Sequence, residues 1–293
     1  MENRNLFFIS VYQKNLEQLL SCSKQFTVGR MYNLRCKNNF YYKDGSIKVM
    51  NCKDQIYSDI KCKEVWWKEG ECHRDDRDKV SGLTFPAIIW DSGAQLWYKE
   101  GKLHRDDIDP ETGLTLPAII GANGSQYWYK EGKEHRDDVD PETGLTLPAA
   151  IYANGTQFWY KERKQHRDDR DKVSGITLPA AIWEDGTHAW YKEGKLHQVD
   201  VDPETGLTLP ALIWANGSQK WYKEGKCHRD DRDKVSGLTL PAYIKTDGSQ
   251  FWYKEGKLHQ VDVDPETGLT LPAIIRVDGT HEWWKEGVQF DPS

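Results

Sequence analysis

Residues 128–158 read WYKEGKEHRDDVDPETGLTLPAAIYANGTQF, and this 31-residue unit recurs along most of the chain. Trp66, Trp97, Trp128, Trp159, Trp190, Trp221, Trp252 and Trp283 keep the interval without one slip. So do His73, His104, His135, His166, His197, His228 and His259. A fixed period of this size marks a tandem array, in which each unit hides its apolar side against its neighbours. The 293 residues therefore do not divide into domains by length.

Each unit carries a hairpin signal. Leu114-Thr115-Leu116-Pro117-Ala118-Ile119-Ile120 alternates with period two, which suits a strand. Asn123-Gly124 follows, the dipeptide favoured where a two-residue turn needs positive φ at both central positions. Equivalent copies are Asn154-Gly155, Asp185-Gly186, Asn216-Gly217, Asp247-Gly248 and Asp278-Gly279. The return strand is Ser125 to Lys130. Tyr127 and its equivalents Leu96, Phe158, Ala189, Lys220, Phe251 and Glu282 vary from aromatic to charged, which predicts a solvent-facing position. Trp128 then points the other way, toward the Leu, Ala and Ile side chains.

Two strands per unit return the chain to the same sheet edge. At about 4.8 Å per strand a unit advances roughly 10 Å, so the array is expected to be a twisted ribbon about 70 Å long. The predicted class is all-β: an elongated antiparallel hairpin-repeat ribbon or solenoid over residues 61–293, behind a small cap over residues 1–60. In the cap, Phe8, Tyr12, Leu16 and Leu19-Leu20 recur at helical spacing and predict one amphipathic helix. Phe40 to Ile47 reads as a decayed hairpin. Trp66-Trp67 and Trp283-Trp284 replace the internal Trp-Tyr pair, as terminal units often do.

Composition narrows function. Forty Lys and Arg against 46 Asp and Glu give a net charge of −6, the wrong sign for nonspecific nucleic-acid binding or for polybasic docking on anionic lipid. Mean hydropathy is −0.79, and no apolar run approaches the roughly 20 residues of a spanning helix. The chain reads as soluble and cytoplasmic. Its six cysteines form no even framework and read as reduced thiols.

Trp-Tyr-Lys-Glu-Gly-Lys-x-His-Arg-Asp-Asp, followed by Pro-Ala-x-Ile and Asn-Gly-Ser-Gln, resembles the variant MORN repeat (membrane occupation and recognition nexus) over residues 64 to 287. The resemblance implies a ribbon of antiparallel hairpins and a role in scaffolding, self-association or membrane-adjacent docking. Such arrays occur in bacteria and in large DNA viruses, so a viral source would place the chain in the host cytoplasm or the virion. The unit departs from the family by an inserted spacer, Asp-Pro-Glu-Thr-Gly-Leu-Thr-Leu or Asp-Lys-Val-Ser-Gly-Leu-Thr-Leu.

Several features carry candidate chemistry. Asp107/Asp109/Glu111, Asp138/Asp140/Glu142, Asp200/Asp202/Glu204 and Asp262/Asp264/Glu266 have carboxylates spaced to wrap a Ca²⁺ ion. A plain turn explains the same residues, with Pro presetting φ, Gly supplying the left-handed residue and Asp capping the start. Three copies place Arg77/Lys79, Arg170/Lys172 and Arg232/Lys234 among the carboxylates. The two loop types alternate from residue 166, which recent duplication of a 62-residue pair explains; attraction between a basic loop and an acidic one, worth about 0–1 kcal/mol when exposed, is the alternative. The histidine ladder suits hydrogen bonding to adjacent loops, because ions bound at about 2.0–2.1 Å cannot bridge units 10 Å apart. Cys52, Cys62, Cys72 and His73 lack zinc-knuckle spacing. No catalytic motif appears, and no metal or cofactor is expected. Tyr98, Tyr129, Tyr160, Tyr191, Tyr222 and Tyr253 form an aromatic row on the face opposite the tryptophans, the candidate contact surface for a protein partner or a second copy. The predicted function is a non-catalytic scaffold or interaction module. A calcium-stabilised repeat and a membrane-surface docking protein are the alternatives.

Overall fold

A computed structural model describes residues 41–43, 46–50, 62–68 and 71–292. They fall into two units, one ending at Lys133 and one beginning at Glu134. The helix expected over Phe8 to Leu20 lies outside the described residues. Within them the chain is all-β.

The decayed hairpin is a hairpin: Tyr41–Lys43 pairs antiparallel with Ser46–Met50, Tyr42 opposite Ile47. Ser46–Met50 pairs in turn with Cys62–Lys68. Further along the first unit, Ile88–Trp90 turns back as Gln95–Leu96, which pairs with Ile119–Ile120 and so with Gln126–Tyr127.

The second unit repeats the motif with one register. Ala150, Phe158, Ala181, Ala189, Leu212, Lys220, Tyr243, Phe251 and Ile274 stand opposite one another, strand after strand. Directly opposed residues share a sheet face, so this row is one face. The other carries Ile151, Gln157, Ile182, His188, Ile213, Gln219, Ile244, Gln250 and Ile275. The unit closes on His281–Lys285, which is backed by a further strand, Val288–Phe290.

The Asn-Gly turns differ from expectation. Only Gly124 takes a positive φ, 87°, while Asn123 does not. The Gly124 amide donates to the Gly121 carbonyl at 2.9 Å, and Gly121 N donates to Ser125 O at 2.7 Å. Asn123 Oδ1 accepts the Ser125 amide. These contacts close a three-residue loop with a left-handed glycine, the next commonest hairpin form. The side-chain acceptor at position 123 and its Asp equivalents stabilises the loop without needing positive φ there.

The turn with two positive φ values lies at Glu-Gly. Glu100 and Gly101 have φ of 50° and 70°, and they join Tyr98–Lys99 to Lys102–Leu103 in a second, two-stranded hairpin. Tyr160–Lys161/Lys164–Gln165, Tyr191–Lys192/Lys195–Leu196 and Tyr222–Lys223/Lys226–Cys227 repeat it. Each repeat thus has two hairpins, where the sequence pattern predicts one.

The acidic spacer is a capped turn. Asp140 Oδ1 accepts the Glu142 and Thr143 amides at 2.9 and 2.7 Å, Gly144 supplies φ 72°, and a bridge between Val139 and Thr146 closes the base.

Packing centres on tryptophan. Trp97, Trp128, Trp159, Trp221 and Trp252 are buried beside Ala87, Ala118, Ala149, Ala180, Ala211, Ala242 and Ala273. The tryptophan amides bond alanine carbonyls of the next repeat, as Trp159 N does Ala180 O at 2.9 Å, and the small alanine side chain leaves room for the indole. Each indole buries on the order of 200 Å², about 5 kcal/mol of transfer free energy as an upper bound.

Candidate interaction face

The six tyrosines of the row open the second hairpins, and all six are half-buried. Burial pushes the Tyr160 and Tyr191 hydroxyls above the usual phenol range. Burial likewise raises Tyr253. They are therefore an inlaid row rather than a freely exposed one.

What covers them is the position read as solvent-facing. Leu96, Ala189 and Phe251 are buried, and Tyr127, Phe158 and Lys220 are half-buried. This is a correction: the row shares its face with the tyrosine two residues on, and a β-sheet's period of two brings them into contact. Phe158 packs edge-on against Tyr152 at 5.5 Å, Trp183 at 5.6 Å and Tyr160 at 6.4 Å between ring centroids. Tyr243 stacks on Phe251 at 5.1 Å and leans on Trp214 at 5.6 Å. Lys220 is tolerated because its ammonium lies 5.2–5.5 Å from the rings of Tyr222, Tyr243 and Tyr253. Burial works against that charge, but a hydrogen bond with Tyr222, then the Cys227 thiol and the neighbouring phenols, outweigh it and raise Lys220.

The sequence reading missed Tyr152, Trp183 and Trp214. Their signal was the same period of two, carried one step past the Ile that precedes the turn.

The opposite side of each unit is a buried polar cluster. Arg105 lies 3.8 Å over Trp97, Arg167 4.0 Å over Trp159 and Arg229 3.9 Å over Trp221. Arg167 Nε donates to Asp169 and its terminal nitrogen to the Pro179 carbonyl. From Trp97 to Trp283, the indole N–H of each repeat tryptophan donates to a threonine carbonyl of the preceding repeat, Trp159 to Thr146 O at 2.8 Å. That threonine's amide and hydroxyl donate to the buried aspartate, as Thr146 does to Asp169. Burial alone would push the Asp107 carboxyl up, but bonds from Thr84 and Arg105 together hold it below the ordinary carboxylate range.

Two units read His-Gln-Val-Asp and lack the stacked arginine. There Arg170 and Arg232 of the preceding loops reach Asp200 at 2.9 Å and Asp262 at 3.3 Å. Burial pushes Asp200 up, yet Thr177 and Arg170 outweigh it and lower the group.

The histidine ladder bonds neighbouring loops, as expected. Nδ1 of His104, His166 and His228 accepts the amides of Glu131, Glu193 and Glu255 at 3.0–3.1 Å, holding the positive-φ glutamate of the next unit.

The carboxylates of the calcium reading have other partners: Asp138 pairs with Arg136 at 2.8 Å, while Asp140 caps its own turn. Among the described residues, no three His, Cys, Asp or Glu side chains converge as a metal-binding group. Cys72 and Cys227 are buried, and Cys52 lies outside the described residues. No helix among the described residues is long and apolar enough to cross a membrane.

Comparison with family models, curated proteins and solved structures returned no match, so the MORN resemblance rests on the motif residues themselves.

Proposed function

We propose that the chain is a non-catalytic scaffold or interaction module of MORN-like repeats, which meets a protein partner or a second copy along the tyrosine-bearing face. One observation carries this reading. Tyr152, Phe158, Trp183 and Tyr160 form one contiguous aromatic patch, on the face opposite the one that buries tryptophan. Large rings held by their neighbours lose little side-chain entropy on contact, which is why aromatic residues concentrate at interfaces. A scaffold also accounts for the repetition, since near-identical units present one surface many times.

The test pairs Trp183→Ser with Tyr191→Ser in the full chain. The expected result is loss of self-association in sedimentation velocity, or of a partner identified with the wild-type chain, while circular dichroism and the melt stay close to wild type. A variant that associates as wild type does, with its fold intact, overturns the reading. Flotation with anionic liposomes that depended on the same two residues would assign the face to a membrane surface instead.

A further inference from the structure

The substitution of Arg-Asp by Gln-Val in one unit strips a carboxylate from a built site. In its neighbours that site is occupied by the aspartate two residues after the histidine. His104 Nε2 meets Asp106, and His166 and His228 Nε2 lie 2.7 Å from Asp168 and Asp230. The same aspartate draws in the lysine two residues after the tryptophan: Lys99 reaches Asp106 at 2.7 Å, and Lys161 and Lys223 approach Asp168 and Asp230 at 4.0 and 3.8 Å.

In the unit of Trp190 that position is Val199. Lys192 makes no ion pair within 4 Å among the described residues and acts on Asp168 only at longer range. His197 Nδ1 accepts the Glu224 amide at 3.1 Å, so the neutral ring carries its proton on Nε2, a donor with no aspartate to receive it.

A third polar side chain lines the same cleft. Gln198 is 8 % exposed. Its Oε1 accepts the Val199 and Asp200 amides at 2.9 and 3.0 Å, which fixes the amide orientation. Its buried Nε2 is left without a hydrogen-bond partner. A buried donor left unmade costs about 1–3 kcal/mol, and groups of this kind call for an explanation. Lys192, His197, Gln198 and Val199 line one cleft of about 140 Å³ with Trp190 as a wall. The carboxylate lining it, Asp168, is already engaged by His166 and Lys161. Arg167 and Arg170, also lining it, are held by Asp169 and Asp200.

We infer that this cleft binds a carboxylate, which takes the place of the aspartate that neighbouring units supply from their own chain. Lys192 contributes charge, His197 Nε2 contributes a directed donor, and Trp190 offers an apolar wall to the group that bears the carboxylate. Lys254, His259, Gln260 and Val261 repeat the same four residue types 62 positions on. The inference stands apart from the tyrosine-bearing face and holds whether or not that face docks a partner.

The experiment is a titration of the ¹⁵N-labelled full chain, at constant ionic strength, with acetate, with a blocked Gly-Glu-Gly peptide, with acetamide and with inorganic phosphate. The expected result is a saturable shift of the Gln198 side-chain amide and the His197 ring with acetate or peptide, and none with acetamide. Tighter binding of the peptide assigns the natural occupant to an acidic side chain, and acetate binding with the peptide excluded assigns it to a small free carboxylate. Val199→Asp, which returns the native neighbour's residue and so should fold, is expected to weaken acetate at least about tenfold, the effect of losing one charge-assisted contact. Absence of a saturable shift, an equal shift with acetamide, saturation by phosphate alone, or unchanged acetate binding in Val199→Asp each overturns the assignment.

Discussion

Arg170 donates across the unit boundary to Asp200, 2.9 Å away, and thereby replaces the arginine that Gln198 displaces. The alternation of loop types is thus a relay of charge. Asp169 and Asp231 are paired by Arg167 and Arg229 of their own units. Asp200 and Asp262 are paired by Arg170 and Arg232 of the loops before them. Asp107 has both kinds of partner, Arg105 and Arg77.

This relay makes a graded prediction. Arg170→Met leaves the largely buried Asp200 without a cation and should destabilise the surrounding units by about 2–4 kcal/mol, the range for breaking a partly buried pair. Arg77→Met should cost under about 1 kcal/mol, because Asp107 keeps Arg105 and exposed pairs are weak. Gln198→Arg should rescue Arg170→Met. Hydrogen exchange across residues 166–230 would read the loss locally, which suits a repeat array whose unfolding need not be two-state. Equal costs at the two arginines would refute the relay.

Replacing a stacked tryptophan probes the core. Trp221→Phe removes the indole bond to the Thr208 carbonyl and weakens the stack with Arg229. A loss of about 2–3 kcal/mol is expected in chemical denaturation. Trp221→Ala should cost about 3–5 kcal/mol through the cavity it leaves.

The Glu-Gly turn admits improvement. Glu224 sits at φ 51°, where Asn is favoured over Glu and where Asn-Gly is the preferred pair. Glu224→Asn is expected to raise the melting temperature slightly, by about 0.5 kcal/mol of stability after loss of the exposed ion pair with Lys195. A clear drop would mean that the side-chain contact outweighs the backbone gain.

Acid should unfold the array. Asp106 is held low first by its bond from Lys99, and Asp168 and Asp230 by theirs from His166 and His228. Folded values below the unfolded ones mean that the unfolded chain binds more protons in between. The contribution is fully present above the unfolded carboxylate value of about 3.9 and is lost as pH falls through the folded values. Melts from pH 2 to pH 7 should show a plateau above about pH 5 and a fall below about pH 4. Melting that improved on acidification would contradict the pairing.

Burial pushes the Cys227 thiol up to about 12. The thiolate is the reacting form, so iodoacetamide at pH 8 should spare Cys227 in the native chain and label it in denaturant. Peptide mass mapping reads the difference, and rapid native labelling would place the thiol at the surface.

Much of this fold was legible. The 31-residue beat, the period-two strands and the opposition of Trp and Tyr follow from spacing alone. The second hairpin was not, because Lys-Glu-Gly-Lys is polar throughout and its turn depends on a glutamate at positive φ, a conformation that Glu rarely adopts unaided. The His104 ring that accepts the Glu131 amide is 27 residues away, beyond any local window. The covered face was misjudged for a related reason. Lys220 looked like a mark of solvent, but a lysine stem can lie along apolar surface while its charge meets aromatic rings. The carboxylate site was hidden because it consists of an absence at Val199, visible only once the neighbours' aspartates had been placed.

The hydrogen bonds between repeats run both ways. Trp159 leans back on Thr146, Glu193 on His166, and Gly194 on the Gln165 carbonyl, while Thr146 and Arg170 donate forward to Asp169 and Asp200. A chain emerging from the ribosome would complete no repeat until its successor had followed. Shortening from either terminus would therefore strand donors that have nowhere to point.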